Sequence, residues 1–207
     1  MSLVSICIPT FNRSKNLQAT LLSIERQDSF RSGGSVEVVI CDNCSTDQTE
    51  AVAIYFQRRY PTKVRYTRNS VHVSADINAV NALKAGSGLF LKAHNDNFCF
   101  VDGALDYIVA VIEAVKDGNP VVCFKNAHST ASDEPVLVKE TIDEFVEEVS
   151  FLSGWLGSFG IWRERLQSTP DFGRLHSKQI FLVDVSSTED TRTGGDSMQD
   201  IDSTHSN

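Results

Sequence analysis

Short apolar runs alternate with amphipathic stretches through the first 125 residues, and this alternation constrains the fold more than any other feature of the chain. "LVSICI" (3–8) reads as a buried strand ended by Pro9, and "SKNLQATLLSIERQ" (14–27) sets Leu17, Leu21 and Ile24 at helical spacing behind a Ser14 cap. "VEVVIC" (36–41) is a second strand. "STDQTEAVAIYFQRRY" (45–60) follows as a helix capped by Ser45 or Thr46, with Asp47 and Glu50 early and Arg58 and Arg59 late, the charge order that suits a helix dipole. "KVRYTR" (63–68) is a third strand, a helix is expected over 74–85, and "GLFLKA" (88–93) is a fourth strand. "GALDYIVAVIEAVKDG" (103–118) repeats Leu105, Ile108, Val109, Ile112 and Val115 on one helical face, and "PVVCF" (120–124) is a fifth strand. Strands separated by helices require crossover connections, so the expected fold class is α/β: a Rossmann-like, mostly parallel sheet with helices on both faces.

Beyond residue 125 the pattern loosens. "TIDEFVEEVSFL" (141–152) is amphipathic, "SGWLGSFGIWRERL" (153–166) is rich in glycine and aromatics, and "QIFLVDV" (179–185) is a last strand or helix. Trp155, Phe159 and Trp162 are read as core. From Ser186 onward almost no apolar residue remains, and such a segment cannot offset its ordering entropy by burial. The expected organisation is one domain, with a ligand-binding half over 1–125, a second half over 126–185 and a disordered tail over 186–207.

The formal charge is −8, and residues 184–207 carry six acids against the single Arg192. With no basic stripe and an acidic end, a nucleic-acid partner is excluded from the expectation. The five cysteines are odd in number, and four lie in or next to apolar runs, which points to free thiols. Cys41 and Cys44 form a lone C-x2-C with no second pair to complete a zinc site. No run approaches the ~18–20 apolar residues of a membrane span. A cytoplasmic protein, at most peripheral to the inner membrane, is expected.

Three polar clusters each follow a strand: "PTFNR" (9–13), "DNCSTD" (42–47) and "HNDN" (94–97). In an open parallel sheet, ligands bind beyond the carboxyl ends of the strands, so the three clusters share one rim. Asp42 can accept from a base or a ribose hydroxyl. The Asn95-Asp96-Asn97 loop, beside His94, offers oxygen donors suited to Mg²⁺ or Mn²⁺. Neither a dinucleotide fingerprint nor a P-loop is present.

"VSICIPTFNRSKNLQATLLSI", "VEVVICDNCSTDQT" and "SADINAVNALKAGSGLFLKAHNDN" resemble, in order and at the proper spacing, the nucleotide-sugar domain of the family 2 glycosyltransferases, which have the GT-A fold. The resemblance runs over residues 3–118 and is close to the bacterial surface-polysaccharide transferases. It implies donor binding by Thr10, Asn12, Arg13, Asp42, Asn43, Asp76 and Asn95, with Asp42 on the base or ribose and Asp76 shaping the base pocket. It implies metal binding by Asp96 and Asn97, where the family has two or three consecutive aspartates. Here Asn95 and Asn97 replace two of those acids, which leaves less charge to hold a divalent ion, and His72 stands where a glycine is usual.

The reaction that the resemblance implies is an inverting transfer from a nucleotide-diphosphate sugar to a glycan or lipid-linked saccharide acceptor, with a general base downstream. Asp171, His176 and Glu189 are the candidates for that base. A competing expectation is a degenerate transferase-like domain that binds a nucleotide or a partner without turnover. A nucleotidyltransferase is weaker still, because residues 9–16 lack a basic, glycine-rich phosphate loop.

Overall fold

The computed structural model describes residues 2–118, 120, 122 and 160–168. Its elements in chain order are β1 (Val4–Thr10), α1 (Ser14–Glu25), α2 (Asp28–Arg31), β2 (Val36–Asp42), α3 (Thr49–Arg59), β3 (Val64–Arg68), α4 (Ala75–Ala85), β4 (Phe90–Ala93), α5 (Ala104–Val115), β5 (Gly160–Trp162) and α6 (Arg163–Ser168). The sheet order is β3-β2-β1-β4-β5. β1, β2, β3 and β4 are parallel, and β5 pairs antiparallel with β4 along the edge.

Alternation along the strands divides the interior into two layers. Val4, Ile6 and Ile8 of β1, with Val36, Val38 and Ile40 of β2, face α1, α3 and α5 through Leu17, Leu21, Ile24, Phe56, Leu105 and Ile112. The opposite parity, Cys7 and Cys41, faces α4 and α6 through Val80, Leu83 and Leu166. Each of the larger apolar side chains buried here contributes about 1.5–3 kcal/mol relative to exposure. Trp162 lies in the first layer, edge-on to Phe90 at 5.0 Å, with its indole N–H donating to the Pro120 carbonyl at 2.8 Å.

Several sequence expectations are corrected here. β1 runs through Pro9 to Thr10, because the ring's missing N–H falls where no partner strand remains. Cys7 O accepts from His94 N on the β4 side and Thr10 O accepts from Asn43 N on the β2 side. Pro9 therefore turns toward β4, whose last paired residue, Ala93, faces Cys7. Ser14 does not cap α1. Its own N–H is instead taken by Asp47 Oδ2 at 3.0 Å, from a loop 33 residues away. Neither Ser45 nor Thr46 caps α3, which begins at Thr49, where Asp47 Oδ1 accepts from the Thr49 amide at 3.0 Å. At α4 the cap is the usual local one, Ser74 Oγ accepting from Ile77 N. α2 and β5 were not anticipated. Of the run 120–124 only residues 120 and 122 are described, and 141–152 and 179–185 lie outside the described residues.

The described cysteines Cys7, Cys41, Cys44 and Cys99 are all free thiols. Burial, the largest cause, pushes the Cys7 and Cys41 thiols up, so neither is a thiolate at neutral pH. Among the described residues no helix is long and apolar enough to cross a membrane.

Candidate active site

β2 and β3 lie on one side of β1 and β4 on the other, so the connections leaving β1 and β4 diverge at the carboxyl rim, the place where open α/β sheets hold ligands. The loops after β1, β2 and β4 meet there through side-chain bonds. Thr10 Oγ1 donates to Asp96 Oδ2 at 2.8 Å, and Arg13 Nη1 donates to Asp96 Oδ1 at 3.0 Å. Asn12 N donates to Ser45 Oγ at 2.8 Å, while Asn12 Oδ1 accepts from Thr46 N at 2.7 Å. Asn12 and Cys44 both hold positive φ, 52° and 66°, at the apices of these turns. Asparagine is the side chain that tolerates the left-handed region best after glycine.

Asp42 ends β2 directly opposite Thr10 and has no exposed surface. Its Oδ1 accepts from Ser45 N at 2.9 Å. Its Oδ2 accepts from the Tyr66 hydroxyl at 2.9 Å and from Arg68 Nη1 at 3.4 Å. Arg68 is shared with Glu50 and the Ser45 carbonyl. Asp42 thus fixes the turn that follows it. Beside it, buried Asn43 accepts from Val73 N and Asn69 Nδ2 and donates to Val73 O, and Asn69 and Asn78 extend this amide network to the ends of β1 and β2. The Tyr66 hydroxyl is pushed up to about 12, first by burial and then by its bond to Asp42, with Arg68 opposing, so it stays protonated and donates to Asp42.

The loop after β4 is clamped by one face of α1 and by Gln27 just past its end. Thr20 Oγ1 lies 2.9 Å from the Asp96 carbonyl and 3.0 Å from that of Phe98. Ser23 Oγ accepts from Phe100 N at 2.9 Å, and Gln27 Nε2 donates to Val101 O. His94 belongs to this scaffold. Its Nε2 donates to the Phe98 carbonyl at 3.0 Å and its ring stacks on Phe100 at 4.3 Å. Burial, reinforced by Lys92 and opposed by the Phe98 bond, pushes it down to about 3, so the ring is neutral and structural.

The predicted positions therefore separate into groups. Thr10, Arg13 and Asp96 meet directly; Asn12 joins the β1 and β2 loops; Asp42 and Asn43 lie buried beneath the rim. Asn95 accepts from Asn97 N at 3.4 Å, and Asn97 is exposed. Asp76 sits half-buried in the first turn of α4. Asp171, His176 and Glu189 lie outside the described residues. Sequence reasoning passed over Tyr66, Arg68, Thr20, Ser23 and Gln27. Thr20 and Ser23 share the stripe of Leu17, Leu21 and Ile24 on α1, a spacing that marks an inward face even where the residues are polar, and Gln27 lies just past the helix end. On the exposed rim Phe11 packs against His72 at 4.5 Å between ring centres, and His72 Nδ1 donates to the Asn43 carbonyl. An open groove along α3 is lined by Ala51, Ile54, Tyr55, Arg58 and Arg59, none of them a predicted site residue.

The donor set does not compose a divalent-ion centre as it stands. Both oxygens of Asp96 are engaged, Asn95 and Asn97 bring only neutral amides, and no three His, Cys, Asp or Glu side chains converge among the described residues.

Residues 5–91 match the family model described as Glycosyl transferase family 2. Abequosyltransferase RfbV of Salmonella typhimurium is 29% identical over 135 residues, which are 63% of this chain and 38% of that protein. The chain thus spans well under half of the length of this curated relative. The structure of S. aureus TarS 1-349 in complex with UDP-GlcNAc superposes with a TM-score of 0.57 at 20% identity, over 89% of this chain and 53% of that one. The mannosyltransferase PcManGT from Pyrobaculum calidifontis, in complex with GDP-Man and Mn²⁺, gives 0.55 at 17% identity, over 79% and 45%. The shared architecture is the GT-A fold.

Proposed function

We propose that the chain is a family 2 glycosyltransferase, in keeping with the match of residues 5–91 to that family's model, and that it moves a sugar from a nucleotide-diphosphate donor to a cell-surface glycan or lipid-linked saccharide acceptor, with inversion. The observation that carries this reading is the convergence of Thr10, Arg13 and Asp96 at the divergence of β1 and β4. The nucleotide lies along the exposed rim, against Asn12 and Arg13 and over the buried Asp42 and Asn43, with Asp76 and Asn95 at its borders. Asp42 acts from beneath, by holding Ser45, Tyr66 and Arg68 in place.

In the transfer an acceptor hydroxyl oxygen bonds to the anomeric carbon, and the bond from that carbon to the phosphate oxygen breaks with its electron pair going to the diphosphate. The hydroxyl proton goes to a base, for which Asp171, His176 and Glu189 are the candidates. A Mg²⁺ or Mn²⁺ ion on Asp96 and Asn97 would share the Asp96 carboxylate with Arg13 and Thr10, and no step of this reading runs through a metal. The acceptor side of the reading rests on residues 126–185.

Thermal-shift titration with UDP, GDP, dTDP and their sugars, each with EDTA and with Mn²⁺, tests the reading. Stabilisation by at least one nucleotide sugar is expected. The absence of any shift across the set overturns it. NMR of the transfer product then reads the anomeric configuration.

A further inference from the structure

We propose that Arg13 is the resident cation of this site: it occupies Asp96 in place of a divalent metal ion and presents its free donors to the diphosphate of the nucleotide sugar. This rests on the transferase reading above.

Three observations carry it. Asp96 is the only acid of the stretch 94–97, and its side chain is 3% exposed. Arg13 takes one carboxylate oxygen and the Thr10 hydroxyl takes the other, so a metal ion there meets the Arg13 charge and two donors already in place. The Arg13 side chain is nevertheless 51% exposed, and a guanidinium has five N–H donors, of which this contact uses one. The remaining donors form a planar fork whose geometry matches phosphate oxygens. Asp96 thus serves as the anchor that aims the fork, and Thr10, Thr20 and the Phe98 carbonyl fix the anchor.

The charges support the assignment. With two of the family's acids replaced by Asn95 and Asn97, a divalent ion next to Arg13 would meet a guanidinium with a single carboxylate between them. A guanidinium and one carboxylate form a neutral pair, which can receive an anionic diphosphate without a further cation. Arg68, another rim cation, is already held by Asp42 and Glu50.

The test has two arms, on wild type, Arg13→Met, Arg13→Lys and Asp96→Asn. In the first, isothermal titration measures UDP and GDP binding in EDTA and in excess MnCl2. Wild-type affinity is expected to agree within about twofold between the two, and Arg13→Met to lose at least about tenfold in either, the worth of a charge-assisted bond. Arg13→Lys keeps the charge without the fork and is expected to fall between them, which also separates charge from folding. In the second arm, EPR of Mn²⁺ without nucleotide measures metal binding directly. Removing the competing cation in Arg13→Met is expected to raise Mn²⁺ affinity above wild type, and Asp96→Asn to abolish any binding. Nucleotide binding that requires Mn²⁺ and survives Arg13→Met overturns the proposal. So does wild-type Mn²⁺ binding that Arg13→Met leaves unchanged. If no nucleotide binds in any condition, the transferase reading fails, and the diphosphate role of Arg13 falls with it. The EPR arm alone then decides whether Arg13 excludes metal from Asp96.

Discussion

The Thr10 hydroxyl donates to Asp96 Oδ2 at 2.8 Å, joining residues 86 positions apart at the divergence of β1 and β4. Both partners are 2% exposed, so neither has water to fall back on. Thr10→Val preserves the shape and removes the donor, leaving a buried carboxylate oxygen unpaired. A loss of about 1–3 kcal/mol in urea unfolding is expected. Thr10→Ser, which keeps the hydroxyl, should recover most of it.

His94 is neutral in the fold and pushed down to about 3, against an ordinary value of 6.5. The unfolded chain therefore binds a proton that the folded chain refuses once the pH drops below 6.5, and stability falls as the pH falls between 6.5 and 3. From pH 7.5 to pH 5 this single group removes about 2 kcal/mol. Urea midpoints across that range should decline in wild type and decline less in His94→Phe, whose ring keeps the contact with Phe100.

Glu37 anchors the opposite rim of the sheet. Its Oε1 accepts from Ser5 Oγ at 2.6 Å and from Ser87 N, and its Oε2 accepts from Ser87 Oγ at 2.7 Å. Burial alone would raise its carboxyl. The bonds from Ser5 and Ser87, helped by Arg65, outweigh burial and hold it below the ordinary 4.5. A depressed carboxylate stabilises the fold above its unfolded value and loses that stabilisation as pH falls through the folded one. Glu37→Gln is expected to cost about 1–3 kcal/mol at pH 7. The gap between variant and wild type should close as the pH is taken below 4.5.

Gly88 passes so close to β1 that a Cβ would stand 2.9 Å from Ser5 N and 3.0 Å from Val4 C. Both are backbone atoms of the central strand, which cannot yield without shifting the register to β2 and β4. Gly88→Ala should lower the melting temperature by several degrees, on the order of 1–3 kcal/mol. Gly34→Ala, where nothing lies within 4 Å, should leave it nearly unchanged.

How much of this was legible in the sequence depended on the range of the forces involved. Strand and helix positions follow from local periodicity, and β1 to β4 were read to within a few residues at most ends. The caps were misread because Asp47 reaches Ser14 across 33 residues as well as its neighbour Thr49, and no local pattern encodes a cap supplied from another loop. The meeting of the three polar clusters was readable from topology alone. What fills their hydrogen bonds was not. Tyr66 and Arg68 reach Asp42 only because β3 pairs with β2 in the register that sets Asp42 opposite Arg68. Thr20, Ser23 and Gln27 were passed over because polar residues on a helix are ordinarily read as solvated.

β4 takes its antiparallel partner, Gly160–Trp162, from far along the chain. At roughly 5–20 residues per second, a ribosome needs several seconds to deliver that partner after β4 has emerged. Until then the nascent sheet carries a bare flank able to zip onto a neighbouring chain. Truncations made before residue 160 inherit that flank permanently, and their yield of soluble protein should drop as expression is driven harder.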